Sequence, residues 1–220
     1  MSTNDEKRVP GIAAQVERLA ELGVPTQFGL SEKSLRDFAN QLDRYPNKAL
    51  IVPSGKPSNY SALTQLIQYR GKRGFVVVDF TDAADYEVFE GSDQHAVQMT
   101  ENDWYLLVDP QRGDEFESAS PSEALAEVTA SNRVALSIVE GLMLAIQAPG
   151  MLERNHCYMT IASRKKKANG GFDARTPALW ISNGTGRDAE ENEDAPKLGW
   201  CWWNNRHTWL GIAHADRRQF

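Results

Sequence analysis

Five of the six tryptophans fall between residues 180 and 209, in a stretch that also carries Ser182, Asn204, Asn205 and His207. Large aromatic rings interleaved with hydroxyl, amide and imidazole groups are the makeup of a small-molecule pocket or a contact surface for another protein. Strand alternation sorts the region into two faces. One holds Tyr158, Thr160, Trp180, Ser182, Trp200, Trp202, Asn204, His207 and Trp209. The other holds Cys157, Met159, Ile161, Leu179, Ile181, Cys201, Leu210 and Ile212, a plain aliphatic core. The ligand-binding set expected from the first face is Tyr158, Trp180, Ser182, Trp202 and His207. Arg164, heading the basic run Lys165–Lys167, joins it, and is the anion clamp of the enzyme alternative below. The competing reading makes the aromatic face a second core layer, sealed by Leu35, Phe38 and Leu42.

A second chemistry rests on Asp79 and Asp109, which end the apolar runs VVVDF and LLVDP. Paired carboxylates at neighbouring strand ends hold Mg²⁺, and Asp82 and Asp114 are placed to assist. An Mg-dependent enzyme acting on a phosphorylated small molecule is therefore the alternative to a binding module. The structural alternative for each aspartate is a turn cap. Zinc is not expected, because Cys157, Cys201, His156 and His207 lack ligand spacing and the cysteines fall opposite the histidines. Gly184-Thr185-Gly186-Arg187 has the wrong length for a phosphate loop. No cofactor and no metal is expected, and the catalytic residues, if any, are unassigned.

These groups need elements to position them. The chain has 220 residues, 41% hydrophobic and 25% charged, which is globular composition. The net charge of −6 argues against a nucleic-acid partner. The acid is concentrated in Asp79–Glu117, with twelve acidic residues and one base, Arg112, and reads as a solvated belt. Val134–Ile146 is too short and too polar to span a membrane. The first residues lack an apolar signal core, and two cysteines suit a reducing compartment, so a cytoplasmic location is expected.

Ile12, Val16, Leu19 and Ala20 share one helical face up to Gly23-Pro25. Ser31 caps a second helix through Leu35, Phe38, Ala39 and Leu42, ending at Tyr45-Pro46. Ala49–Val52, Gly74–Phe80 and Trp104–Asp109 read as buried strands, with Leu63, Leu66 and Ile67 at helical spacing between the first two. Capping boxes open helices at Ser120 and Ser137, the second nearly all apolar to Ala148. His156–Ser163, Ala178–Ser182, Leu198–Trp203 and Thr208–Ala213 read as four strands. The fold expected is α+β: an N-terminal helical pair (1–45), a central mixed α/β region (46–150) and a C-terminal four-stranded antiparallel meander (151–220). One domain over 1–220 is expected, with a seam at Pro149-Gly150 as the alternative. The partner expected is a small molecule or a protein.

The segments LERNHCYMTIASR (152–164), PALWIS (177–182) and LGWCWWNNRHTWLG (198–211) resemble the core motifs of a bacterial, largely actinobacterial family catalogued as a domain of unknown function. GLSEKSLRDF (29–38), WYLLVDPQRGDE (104–115), PSEALAEV (121–128) and VEGLMLAI (139–146) fit its pattern too. The resemblance covers most of Phe28–Ala213. It implies a soluble, single-domain bacterial protein with no assigned activity. The chain departs from the pattern at Arg206, where the family tends to have Pro, a change that bears on the turn at Asn204–Arg206. Asp188–Asp194 resembles an insertion at a hairpin tip that holds no site.

Overall fold

The computed structural model describes residues 7–42, 48–77, 86–88 and 102–220. Asp79, Asp82, the helix stop at Tyr45-Pro46 and about half of the acidic belt lie outside them. The architecture is mixed α and β, with six α-helices and several sheets among the described residues.

Three helices open it: α1 (Ile12–Glu21), the single turn α2 (Val24–Gln27) and α3 (Glu32–Asn40). The first helix buries Ile12, Val16 and Leu19, and Ser31 caps α3 by accepting the Ser34 amide. The strand β1 (Ala49–Pro53) follows, then α4 (Tyr60–Thr64), the hairpin β2 (Gln68–Tyr69) and β3 (Lys72–Arg73), and the short β4 (Phe75–Val76). Next come β5 (Tyr86–Val88), β6 (Trp104–Val108), α5 (Pro121–Ala130), β7 (Val134–Ala135) and α6 (Ile138–Gln147). The last stretch holds seven strands, β8 (Cys157–Met159), β9 (Ser163–Lys165), β10 (Arg175–Ile181), β11 (Pro196–Trp202), β12 (Leu210–Ile212), β13 (His214–Ala215) and β14 (Arg217–Gln219), with 3-10 turns at Gly186–Asp188 and Glu190–Asn192 between β10 and β11.

Two sheets carry the fold. The first is antiparallel in the order β1-β6-β14, and the second runs β12-β8-β10-β11-β4. Helix α6 contacts both β1 and β10, and all ten of its residues are buried. An apolar helix of this kind belongs between layers rather than on a surface. Its close seat on the second sheet depends on Gly141: a Cβ there would lie 2.2 Å from Thr160 Cγ2, and the Tyr158 hydroxyl donates to the Gly141 carbonyl at 2.9 Å. On the other side, Gln15 of α1 closes the open edge of β1. Its Nε2 donates to Ala49 O at 2.7 Å and its Oε1 accepts from the Ile51 amide at 2.8 Å. A side-chain amide thus does the hydrogen bonding of a neighbouring strand, which blunts an edge that would otherwise pair with another chain.

A buried ion pair ties the layers together. Glu140, the capping-box acid of α6, takes Arg218 Nε at 2.5 Å and Nη2 at 2.7 Å, with both side chains wholly buried. Tyr105 and the Ser137 amide complete its shell at 3.0 and 2.6 Å. Burial alone would raise the Glu140 pKa, but Arg218, the Ser137 amide and Tyr105 together hold it below the usual carboxylate range.

The C-terminal region differs from the expected four-stranded meander. Only β8, β10 and β11 form an antiparallel run; β12 crosses to the far edge and pairs parallel with β8, while β4 adds parallel to β11. The expectation failed because both faces of this sheet are covered, so alternation carries no in/out signal and pairing partners are not local in sequence. The central strands differ as well. Phe75–Val76 lies in the second sheet and Trp104–Val108 in the first, so they are not neighbours. No helix among the described residues is long and apolar enough to cross a membrane.

Candidate functional site

The Trp-rich end of the second sheet is built by the β10–β11 pairing. Leu179 stands opposite both Tyr158 and Leu198, and Trp180 stands opposite Lys197. This register corrects the face assignment for β10 by one residue. Leu179 and Ile181 join Tyr158 and Trp200 in the core beneath α6, whereas Trp180 joins Cys157, Cys201 and Trp209 on the other side. A shift of one residue sends every side chain of a strand to the opposite face. Trp200 and Trp202 keep the expected parity, opposite Cys201 and Trp203.

The six expected site residues therefore do not converge. Tyr158 is fully buried and spends its hydroxyl on Gly141. Ser182 is also buried and donates to Asp188 Oδ2 at 2.7 Å, where Asp188 meets Lys197 at 2.5 Å. The 188–194 segment is thus anchored to the sheet. Arg164 is 6% exposed, lies 3.8 Å from the Trp203 ring centroid, and donates to the Asp173 carbonyl. A buried guanidinium packed over an indole is held in place by that packing rather than presented to solvent.

Trp180, Trp209 and His207 form a half-buried aromatic strip on the cysteine face. The Trp180–Trp209 and His207–Trp209 rings meet edge to face, with centroids 6.2 and 5.7 Å apart. Lys197 Nζ lies 4.9 Å from the Trp180 centroid. The Trp180 ring crosses Gly199, where an added Cβ would come within 2.3 Å of it. His207 Nε2 is shielded from water and has no hydrogen-bond partner among the described residues, and burial pushes the imidazole pKa below its ordinary value.

Trp202 stands apart from this strip, on the opposite face. It is 46% exposed and packs edge to face on Trp200 at 4.8 Å, with the Arg175 guanidinium 5.8 Å from the Trp200 centroid. The expected cluster of Trp202 with His207 is not formed. After Trp202 the chain does not return beside β11. It passes over the start of α5, where Arg206 bonds Glu123 and the Ser118 amide donates to His207 O at 2.8 Å.

The cations on these rings went unread in the sequence. Lys197, Arg164 and Arg175 were visible as charges, but pairing each with an indole needs the register that local alternation failed to give. Asp109 is held by Lys48 at 3.2 Å and Arg133 at 3.7 Å, with Gln111 Nε2 donating to it at 2.9 Å. These groups outweigh the opposing effect of burial and lower its pKa.

The model of a family described as Family of unknown function (DUF5701) matches residues 18–220. No curated protein and no solved structure matches the chain.

Proposed function

The chain belongs to this DUF5701 family, whose function is unknown, and we propose that it is an interaction module whose contact surface is centred on Trp202. One observation carries the reading: Trp202 is 46% exposed, and among the described residues only it and Phe220 are large apolar side chains left open. Trp200 holds it in a fixed edge-to-face pose, so little side-chain entropy is lost when a partner covers it. Asn204 and Asn205, shortly after it in the chain, are exposed and polar. A rigid, exposed tryptophan is of the residue type enriched at protein–protein hot spots. A small-molecule pocket made of all six expected residues is not retained, since Tyr158 and Ser182 are buried and Trp202 faces away from His207.

The test is site-specific photocrosslinking from position 202 in the native host, followed by purification of the captured partner. Wild type is expected to bind that partner at least about tenfold more tightly than Trp202→Ala, a difference of about 1.4 kcal/mol. Equal binding by Trp202→Ala, or the same crosslink from the exposed control position Lys33, would overturn the reading.

A further inference from the structure

A groove of about 590 Å³ lies between α1, the β2–β3 hairpin and the end of α6. Four cations line it, Arg18, Arg70, Lys72 and Arg73, and among the described residues no carboxylate does. This is unusual for the chain, whose net charge is −6 and which faces Arg36, Arg112, Arg154, Arg175 and Arg218 with carboxylates. None of the four groove cations pairs with a carboxylate of the described residues. Two are instead positioned by backbone carbonyls: Arg18 Nε donates to Ile146 O at 2.7 Å, and Lys72 Nζ to Glu191 O at 2.9 Å. Such bonds aim a cation without cancelling its charge.

The hairpin adds an independent observation. Its two-residue loop is Arg70-Gly71, with φ of 49° and 78°. Two successive positive φ values mark a tight hairpin turn that favours Asn, Asp or Gly at its first position. An arginine there is strained, and strain of this kind collects at sites that bind or react. The strained residue lines the groove, and its guanidinium carbon lies 4.9 Å from the Tyr69 ring centroid.

We propose that this groove binds a small molecule carrying a diphosphate. Guanidinium forks match phosphate oxygens two at a time. Four cations on two elements, Arg18 on α1 and three on the hairpin, suit two linked phosphates better than one. The volume is that of a small-molecule site, and Pro10, Ala14 and Pro149 offer the organic part an apolar wall. A nucleic acid is the less favoured occupant, because the negative chain around the groove repels a long polyanion.

Calorimetry with inorganic pyrophosphate, ADP, orthophosphate, citrate and a single-stranded oligonucleotide tests this at about 150 mM salt. Pyrophosphate and ADP are expected to bind at least about tenfold more tightly than orthophosphate or citrate. Arg70→Gly removes the cation and relieves the strained φ. It is expected to melt at or above the wild-type temperature while losing about tenfold or more in pyrophosphate affinity. Lys33→Gln, away from the groove, is expected to change neither. Three results would overturn the proposal: pyrophosphate binding no tighter than orthophosphate or absent, Arg70→Gly retaining full affinity, or the oligonucleotide binding more tightly than pyrophosphate.

Discussion

Trp180 and Trp202 look alike in the sequence, each an indole in a strand flanked by apolar residues, yet the structure gives them different surroundings. Trp180 lies across Gly199 with Lys197 on its ring, and Trp202 reaches solvent. Trp202→Ala is therefore expected to cost no more than about 1 kcal/mol in urea unfolding. Gly199→Ala is expected to cost more, because its Cβ must displace the Trp180 ring. The cysteines permit a second prediction. Burial pushes Cys157 up to about 11 and Cys201 up to about 12, so both thiols are protonated at neutral pH. Native protein should react slowly with a thiol reagent at pH 8 and rapidly once denatured. A third concerns His207, whose folded pKa lies below its unfolded value of about 6.5. The unfolded chain binds its proton first, so the stability linked to this group is intact above about pH 6.5 and is lost as pH falls through the lowered value. An NMR titration of the His207 ring, with His207→Gln showing a flatter stability profile, checks the sign.

At the scale of elements, what could be read from the sequence was local. The N-cap at Ser31 and the capping boxes at Ser120 and Ser137 form with the residues expected, because each motif closes within four positions. Strand pairing is not local. PALWIS has apolar side chains on both parities, so nothing in it reports that Leu179 rather than Trp180 faces α6. Nor does the sequence around Leu210–Ile212 announce a parallel partner some fifty residues earlier, at Cys157–Met159. The groove was missed for the same reason: Arg18 lies far in sequence from the hairpin that carries the other three cations. Gln15 is the element-scale residue most open to test. Gln15→Leu keeps the volume but leaves Ala49 O and Ile51 N without partners at a buried edge. It is expected to destabilise the chain by about 1–3 kcal/mol and to promote association through β1, measured by urea unfolding and light scattering.

Across the whole molecule, Glu140 and Arg218 join a helix to a strand that follows it by 78 residues. Truncating one partner strands a charge in the core. Arg218→Met alone is expected to cost about 3–5 kcal/mol, and Glu140→Gln with Arg218→Met together less than the sum of the single changes. A double-mutant cycle in urea measures the difference. Because the folded Glu140 pKa is depressed, its contribution is complete above the unfolded value of about 4.3 and is lost as pH falls through the lower folded value. The fold class was readable because composition and helix caps limit it. The network was not, since Glu140 serves as a helix-cap acid whether or not an arginine faces it.

The same pair has a consequence for the order in which the chain is made. A ribosome adds about 5–20 residues per second, so Glu140 exists for about 4–16 s before Arg218 is synthesised. During that interval α6 carries a carboxylate with no cation to meet it in the core, and the first sheet lacks β14. Seating α6 early would bury an unpaired charge. The nascent helix is therefore expected to stay undocked, with its apolar surface exposed, until the far end of the chain arrives. A chaperone that covers that surface during synthesis would serve this fold more than one acting on the finished chain.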